Sequence, residues 1–180
     1  MIGIIGAMDV EMNALKNLID CPETEVVSGV AFTKGKLFGE EVVLAVCGIG
    51  KVFAALCTEA MILRYAPEAI INIGVAGTLT EKLSIGDMAV GSAAVCHDMD
   101  TSPLGDPKGL ISGINLIEIP LCKKMSKTFF EICHTQGIHA VQGVIASGDQ
   151  FICDQKVKKD IVRQFSAIAC EMEGQAIAQV

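Results

Sequence analysis

The chain has 180 residues, 51% of them hydrophobic and 19% charged, and a net charge of -7. That length predicts one domain, or at most a tight pair, with a real core, since a chain of this size hides roughly 70% of its unfolded surface. The apolar fraction excludes intrinsic disorder, and the acidic balance argues against nucleic acid, which asks for a basic face. No uninterrupted apolar run reaches the length of a membrane span.

The opening Met1-Ile2-Gly3-Ile4-Ile5 reads as a strand, without the basic region of a signal peptide. Residues 2–5 are a β-branched run ended by Gly6, and Met8, Met12, Leu15, Leu18 and Ile19 then recur at helical spacing over 8–19. Strands are predicted at 25–28, 30–38 and 41–46, the last two joined by a Gly39-Glu40 turn. After Gly48-Ile49-Gly50 a helix over 51–65 is closed by Pro67, and 69–73 is a further apolar strand before Gly74-Val75-Ala76-Gly77. Residues 85–96 form a strand region, and 97–118 read as a long surface excursion rich in Pro and Gly, which in a compact domain is usually functional. A helix over 120–135 begins at Pro120, a favoured first-turn residue. A strand at 139–146, the turn Ser147-Gly148-Asp149, a charged helix over 154–165, a strand at 167–169 and a helical pattern over 171–180 complete the chain.

Strands alternating with helices predict an α/β fold with a mixed, largely parallel sheet flanked by helices. Ligands in such sheets bind at the carboxyl ends of the strands. That points to the loops 6–11, 48–51, 74–77, 147–152 and 171–173. Eight cysteines include no C-x-x-C pair, so zinc and redox motifs lack support. Most lie in apolar runs that suit free core thiols in a reducing cytoplasm. Gly48-Ile49-Gly50-Lys51 lacks both the spacing and the Ser/Thr of a phosphate loop, and reads as a tight strand-to-helix turn.

The carboxylates carry more. Glu11 falls on the first turn of a predicted helix, and Glu171 and Glu173 flank Met172 where a strand becomes a helix. The helix dipole alone favours such placement. Three carboxylates at carboxyl-end loops also suit glycoside chemistry, in which one activates water and another steadies sugar hydroxyls as positive charge develops on the ring. An N-glycoside additionally needs a general acid for the leaving base.

Four segments, Ile4-Ile5-Gly6-Ala7-Met8-Asp9-Val10-Glu11, Asn72-Ile73-Gly74-Val75-Ala76-Gly77, Ser147-Gly148-Asp149-Gln150-Phe151-Ile152 and Glu171-Met172-Glu173, resemble in order and spacing the signatures of the 5'-methylthioadenosine/S-adenosylhomocysteine nucleosidases. The resemblance covers the whole chain and implies the nucleoside phosphorylase/hydrolase-like sandwich, usually a homodimer. It implies hydrolysis of the N-glycosidic bond of those nucleosides to release adenine, with no metal or organic cofactor. By the same resemblance Glu11 activates the attacking water and Glu173 binds the ribose hydroxyls. Met172 packs beside the sugar and Met8 lines the ribose and sulfur region. Phe151 stacks on adenine, the Ile152 backbone reads its edge, and Ala76 and Gly77 form the floor. Glu171 is either a pocket residue or a structural carboxylate at the helix start. His97-Asp98 resembles the stretch before the long loop, and Thr101 and Leu104 on that loop are candidates for the partner subunit's alkylthio pocket. His134 and His139 read as surface or strand-start residues.

There are two departures. Val75 stands where many relatives carry a small hydroxyl residue. The chain stops at Val180 within a predicted helix, so the domain 1–180 is expected to lack the family's last strand and C-terminal helix, with its general-acid aspartate, and to turn over poorly. Asp149 matches a different motif and is not taken as the acid. Alternatives are a phosphorolytic enzyme, disfavoured by only two arginines and by Glu11, a non-catalytic adenine-nucleoside binder, and a related hydrolase such as a futalosine hydrolase or AMP nucleosidase.

Overall fold

In a computed structural model describing residues 1–180, the strands pair into two five-stranded sheets rather than one. Each sheet belongs to its own unit of the chain, Met1–Val75 and Ala76–Gln179.

In the first unit β1 (Ile2–Gly6) lies between two parallel neighbours, β4 (Glu40–Val46) and β5 (Ala69–Asn72). β3 (Val30–Leu37) and β2 (Asp20–Val27) extend the sheet antiparallel from β4. Parallel neighbours need crossovers, and β4 reaches β5 through α2 (Lys51–Tyr65), while α1 (Asp9–Lys16) follows β1. The apolar run of β1 follows from helices on both faces. Gly3 lies under α2, where the Met61 sulfur takes the space of a Cβ. On the other face Ile4 and Leu15 pack against Met12, Ile19, Leu37, Val42 and Leu44.

The helix predicted over 8–19 ends early, at Lys16. The Asn17 N–H is bonded to the carbonyls of Asn13 and Leu15, and Leu18 N–H donates to Leu15 O, so the last turn tightens. Ile19 still joins the cluster, but from the approach to β2, where its side chain and the Asp20 carbonyl press on Gly35. Helical spacing therefore ran on into a residue with the same burial and a different backbone. β2 begins five residues before its predicted start because its solvated first half, Asp20 to Thr24, has no apolar alternation to read. Arg64 and Tyr65, at the end of α2, both bond Glu25 of β2, at 3.0 and 3.1 Å from the guanidinium and 2.7 Å from the phenol. These contacts hold the Glu25 carboxyl below its usual range. Burial and the Glu25 bond push the Tyr65 phenol up to about 12.

In the second unit β7 (Met88–Cys96), β9 (Ala140–Ser147) and β10 (Ala169–Glu171) are parallel neighbours. Two short antiparallel edges flank them, β6 (Gly77–Thr78) on β10 and β8 (Glu118–Pro120) on β7. The crossovers are α3 (Lys123–Thr135) and α4 (Gln155–Phe165), and α5 (Gly174–Gln179) follows β10. α4 starts on Asp154, whose carboxylate accepts the N–H groups of Lys156 and Val157 at 2.7 and 3.0 Å, a side-chain cap. Its Ile161 and Phe165 pack on Val95, Ala146, Ala167 and Cys170.

Pro120 ends β8 instead of opening a helix, a position open to it on an edge strand, where no ladder N–H is needed. The predicted strand 167–169 is shifted to Ala169–Glu171, and the helix predicted from 171 starts at Gly174, because Glu171 still pairs with Ser147. The excursion 97–118 is pinned internally by a 3-10 turn over Ser102–Leu104, a Lys108–Asp100 ion pair of 3.0 Å and an Ile111–Leu116 bridge. Cys21, Cys122 and Cys153 are exposed and the other five cysteines buried. Burial pushes the Cys57 thiol up to about 12. No helix is long and apolar enough to cross a membrane.

Candidate active site

In the first unit the carboxyl ends of β4, β1 and β5 lie side by side, tied by Cys47 N–H to Gly6 O, Gly48 N–H to Ala7 O and Ile73 N–H to Ile5 O. Glu11, on the first turn of α1, reaches back over this edge. Its Oε2 accepts the N–H groups of Ala7 and Met8, both at 2.9 Å. Its Oε1 accepts the N–H of Val75 at 2.9 Å. The helix dipole supports a carboxylate here, but three backbone donors from two strand ends fix it far more tightly. A carboxylate offers about four acceptor positions. Two are filled on Oε2 and one on Oε1, so the remaining one is on Oε1. Gly74 makes this possible. A Cβ there would stand 2.7 Å from Oε1, closer than real Cβ atoms come, and a tight 3.1 Å from Cδ. Met8, predicted to line the ribose region, is the residue before α1 and is half-buried. Gly48 and Gly50, at φ +92° and +103°, turn the chain from β4 into α2 as the glycine-turn reading predicted.

In the second unit the carboxyl ends of β7, β9 and β10 likewise lie together. His97 N–H donates to Ser147 O, and Gly148 N–H to Glu171 O. The buried Ser147 hydroxyl donates to Glu171 Oε1 and accepts the N–H of Gln175 at 2.7 Å. Glu171 Oε2 accepts the N–H groups of Glu173 and Gly174 at 2.9 and 2.6 Å. Glu173 is 8% exposed and Met172 half-buried. A charged group buried this far needs partners or a ligand.

The turn after β9 is held from β7. Asp98 accepts the N–H of Asp149 at 2.8 Å on Oδ2 and the Cys96 thiol at 3.1 Å on Oδ1. Gly148 is required, because a Cβ there would collide with the His97 ring. Beyond this turn Phe151 is 87% exposed, and Ile152 packs on the α4 core. Gly77 pairs with Cys170 and Ala76 is exposed beside it. On the excursion Thr101 donates to Asp106 at 2.9 Å, and Leu104 projects into solvent. His139 bonds the Lys82 carbonyl at 2.9 Å, at the start of β9 and so at the opposite end of that strand from the Ser147 turn.

The structure thus brings Met8 to Glu11, and Glu171, Met172 and Glu173 to the Ser147 turn. It also adds residues to which no role had been given: Gly74, which clears space for Glu11, Ser147, and Asp98 as the anchor of the Phe151 turn. A glycine directly after an apolar strand was the one available signal for the first. The other two depend on strand register, which the sequence does not display.

Comparison with known proteins is consistent across the chain. The model of the phosphorylase superfamily matches residues 1–180. The 5'-methylthioadenosine/S-adenosylhomocysteine nucleosidase of Shewanella pealeana is 39% identical over 180 residues, 99% of this chain and 78% of that protein. Among solved structures, the nucleosidase of that name from Helicobacter pylori, with butyl-thio-DADMe-Immucillin-A, superposes with a TM-score of 0.95 at 37% identity, over 99% of this chain and 77% of its own. A futalosine hydrolase from Helicobacter pylori gives 0.93 at 37% identity, over 99% and 76%. With such identity along nearly its whole length, the chain belongs to the phosphorylase superfamily and, within it, to the 5'-methylthioadenosine/S-adenosylhomocysteine nucleosidases.

Proposed function

We propose that the chain hydrolyses the N-glycosidic bond of 5'-methylthioadenosine and S-adenosylhomocysteine, releasing adenine. The observation that carries this is the carboxylate of Glu11, held by three backbone N–H groups with one acceptor position left on Oε1. A water donating to that position is oriented and made more nucleophilic, and the carboxylate takes its proton as the C–O bond forms. Positive charge develops on the ribose as adenine departs, and the base takes up a proton from solvent while Glu11 returns the one it received. The buried carboxylate of Glu173 opposes that charge through the ribose hydroxyls, where it is worth more than in water. Met8 and Met172 supply apolar walls for the sugar, Phe151 a stacking face for the base, and the turn at Ala76 and Gly77 a floor without side-chain bulk.

Water is favoured over phosphate. Phosphorolysis needs cations or backbone donors for a dianion. The two arginines are engaged elsewhere, Arg64 with Glu25 and Arg163 with Asp160 at 2.9 Å, and Glu11 would repel the anion. Adenine release from 5'-methylthioadenosine in phosphate-free buffer is therefore expected at the same rate as with phosphate added. Strict dependence on phosphate would reverse the assignment.

We further propose that the chain works as a homodimer in the cytoplasm. Val52, Phe53, Leu56 and Leu63 all project from α2 into solvent, beside Ile49, a larger apolar group than an isolated surface helix normally shows. Leu104, exposed on the excursion, is the candidate for the partner subunit's alkylthio pocket, with Thr101 beside it. Sedimentation should give twice the 19.0 kDa chain mass, and Phe53→Glu should shift it to the monomer. A wild-type monomer contradicts this.

A further inference from the structure

We propose that Glu171 is a positioning residue that, with Ser147, fixes the backbone from which Glu173 projects, and that it acts on the reaction through Glu173 rather than by touching substrate. The inference rests on the reading of Glu173 as the carboxylate that binds the ribose hydroxyls.

Three consecutive backbone N–H groups, those of Glu173, Gly174 and Gln175, open the first turn of α5 and have no partner within the helix. Glu171 Oε2 takes the first two, and the Ser147 hydroxyl takes the third. The hydroxyl has a single proton, and it points at Glu171 Oε1. Accepting from Gln175 and donating to Glu171 together fix its rotation. Ser147 is completely buried and Gln175 is 2% exposed, so water cannot substitute for either bond. Both oxygens of Glu171 are thus engaged inside the fold, and one of the N–H groups they hold is that of Glu173 itself.

Register explains why these two residues meet. Ser147 and Glu171 are paired neighbours at the ends of the parallel strands β9 and β10. The strand ladder stops there, and the side-chain bonds carry the order two residues further, to Glu173. A helix cap alone would account for stability. It would not account for the cap being closed on the residue that faces the ribose. A misplacement of about 1 Å in a charged group is enough to lower turnover strongly.

The test compares kcat/KM of the full chain for 5'-methylthioadenosine and for its 2',3'-dideoxy analogue, which lacks the hydroxyls, with melting temperatures measured in parallel. Glu173→Gln is expected to lose activity on the ribonucleoside and little on the analogue. Glu171→Gln and Ser147→Ala are expected to follow the same pattern, with about a tenfold loss on the ribonucleoside and less than twofold on the analogue. If Glu173→Gln discriminates but the other two lower both substrates equally, or neither, Glu171 is only a cap and the proposal fails alone. If Glu173→Gln does not discriminate, the ribose reading fails and the proposal falls with it. Ser147→Ala decides the matter by itself if Glu171→Gln melts below the assay temperature.

Discussion

Replacing Glu11 by Gln lowers kcat for adenine release by about 10³-fold, the middle of the range for a lost general base, with little change in KM or melting temperature. The direction follows from counting donors. Glutamine keeps the shape of glutamate but turns one oxygen into an NH₂ that cannot accept. Its oxygen best replaces Oε2, which serves two N–H groups, Ala7 and Met8. The NH₂ then faces the Val75 N–H and stands where the water would be bound. The water loses its acceptor and its base together. Val75 is 73% exposed, so solvent satisfies its freed N–H, and the fold is hardly affected. Steady-state kinetics alongside thermal melts checks both halves. A variant within tenfold of wild type would remove Glu11 from the role of base.

Gly74→Ala is the second large effect, and it reaches the same carboxylate without changing its chemistry. Gly74 does not adopt a positive φ, so alanine fits the backbone. Its methyl group would stand 2.7 Å from Glu11 Oε1, the oxygen with the remaining acceptor position, and 3.3 Å from Oε2. The carboxylate must move, and it cannot do so while keeping its bonds to both Ala7 and Val75. A loss of about 10² in kcat is expected, the scale for a catalytic group displaced by about 1 Å. The pair Gly74→Ala and Glu11→Gln should be no worse than Glu11→Gln alone, because the first acts only through the second. Additive losses would show that Gly74 has an independent role.

Local features of the site were legible in the sequence and non-local ones were not. Strand, glycine turn and helix over residues 2–16 is a continuous pattern, so Glu11 could be placed just beyond a strand end. The Val75 donor lies 64 residues away and becomes visible only when β5 lies beside β1. The same holds for Ser147 and Glu171, brought together by the register of β9 on β10, and for Asp98, which reaches the Asp149 turn from the end of β7. The split into two sheets also escaped the sequence. Alternating strands and helices look identical whether they build one sheet or two, and the edges β6 and β8 are too short to leave a periodic signal. In β2 and in Ile19 the pattern misled for opposite reasons. The first has strand backbone without burial contrast, and the second has helical spacing without helical backbone.

The claim on which the rest depends is that Glu11 holds the attacking water on Oε1. It is tested most directly by a high-resolution crystal structure of the full chain with a non-hydrolysable methylthioadenosine analogue. An ordered water is expected within hydrogen-bond distance of Glu11 Oε1, facing the anomeric carbon, with the Ala7, Met8 and Val75 bonds intact. A water bound by a different side chain, or ribose hydroxyls seated on Glu11 in its place, would contradict the claim.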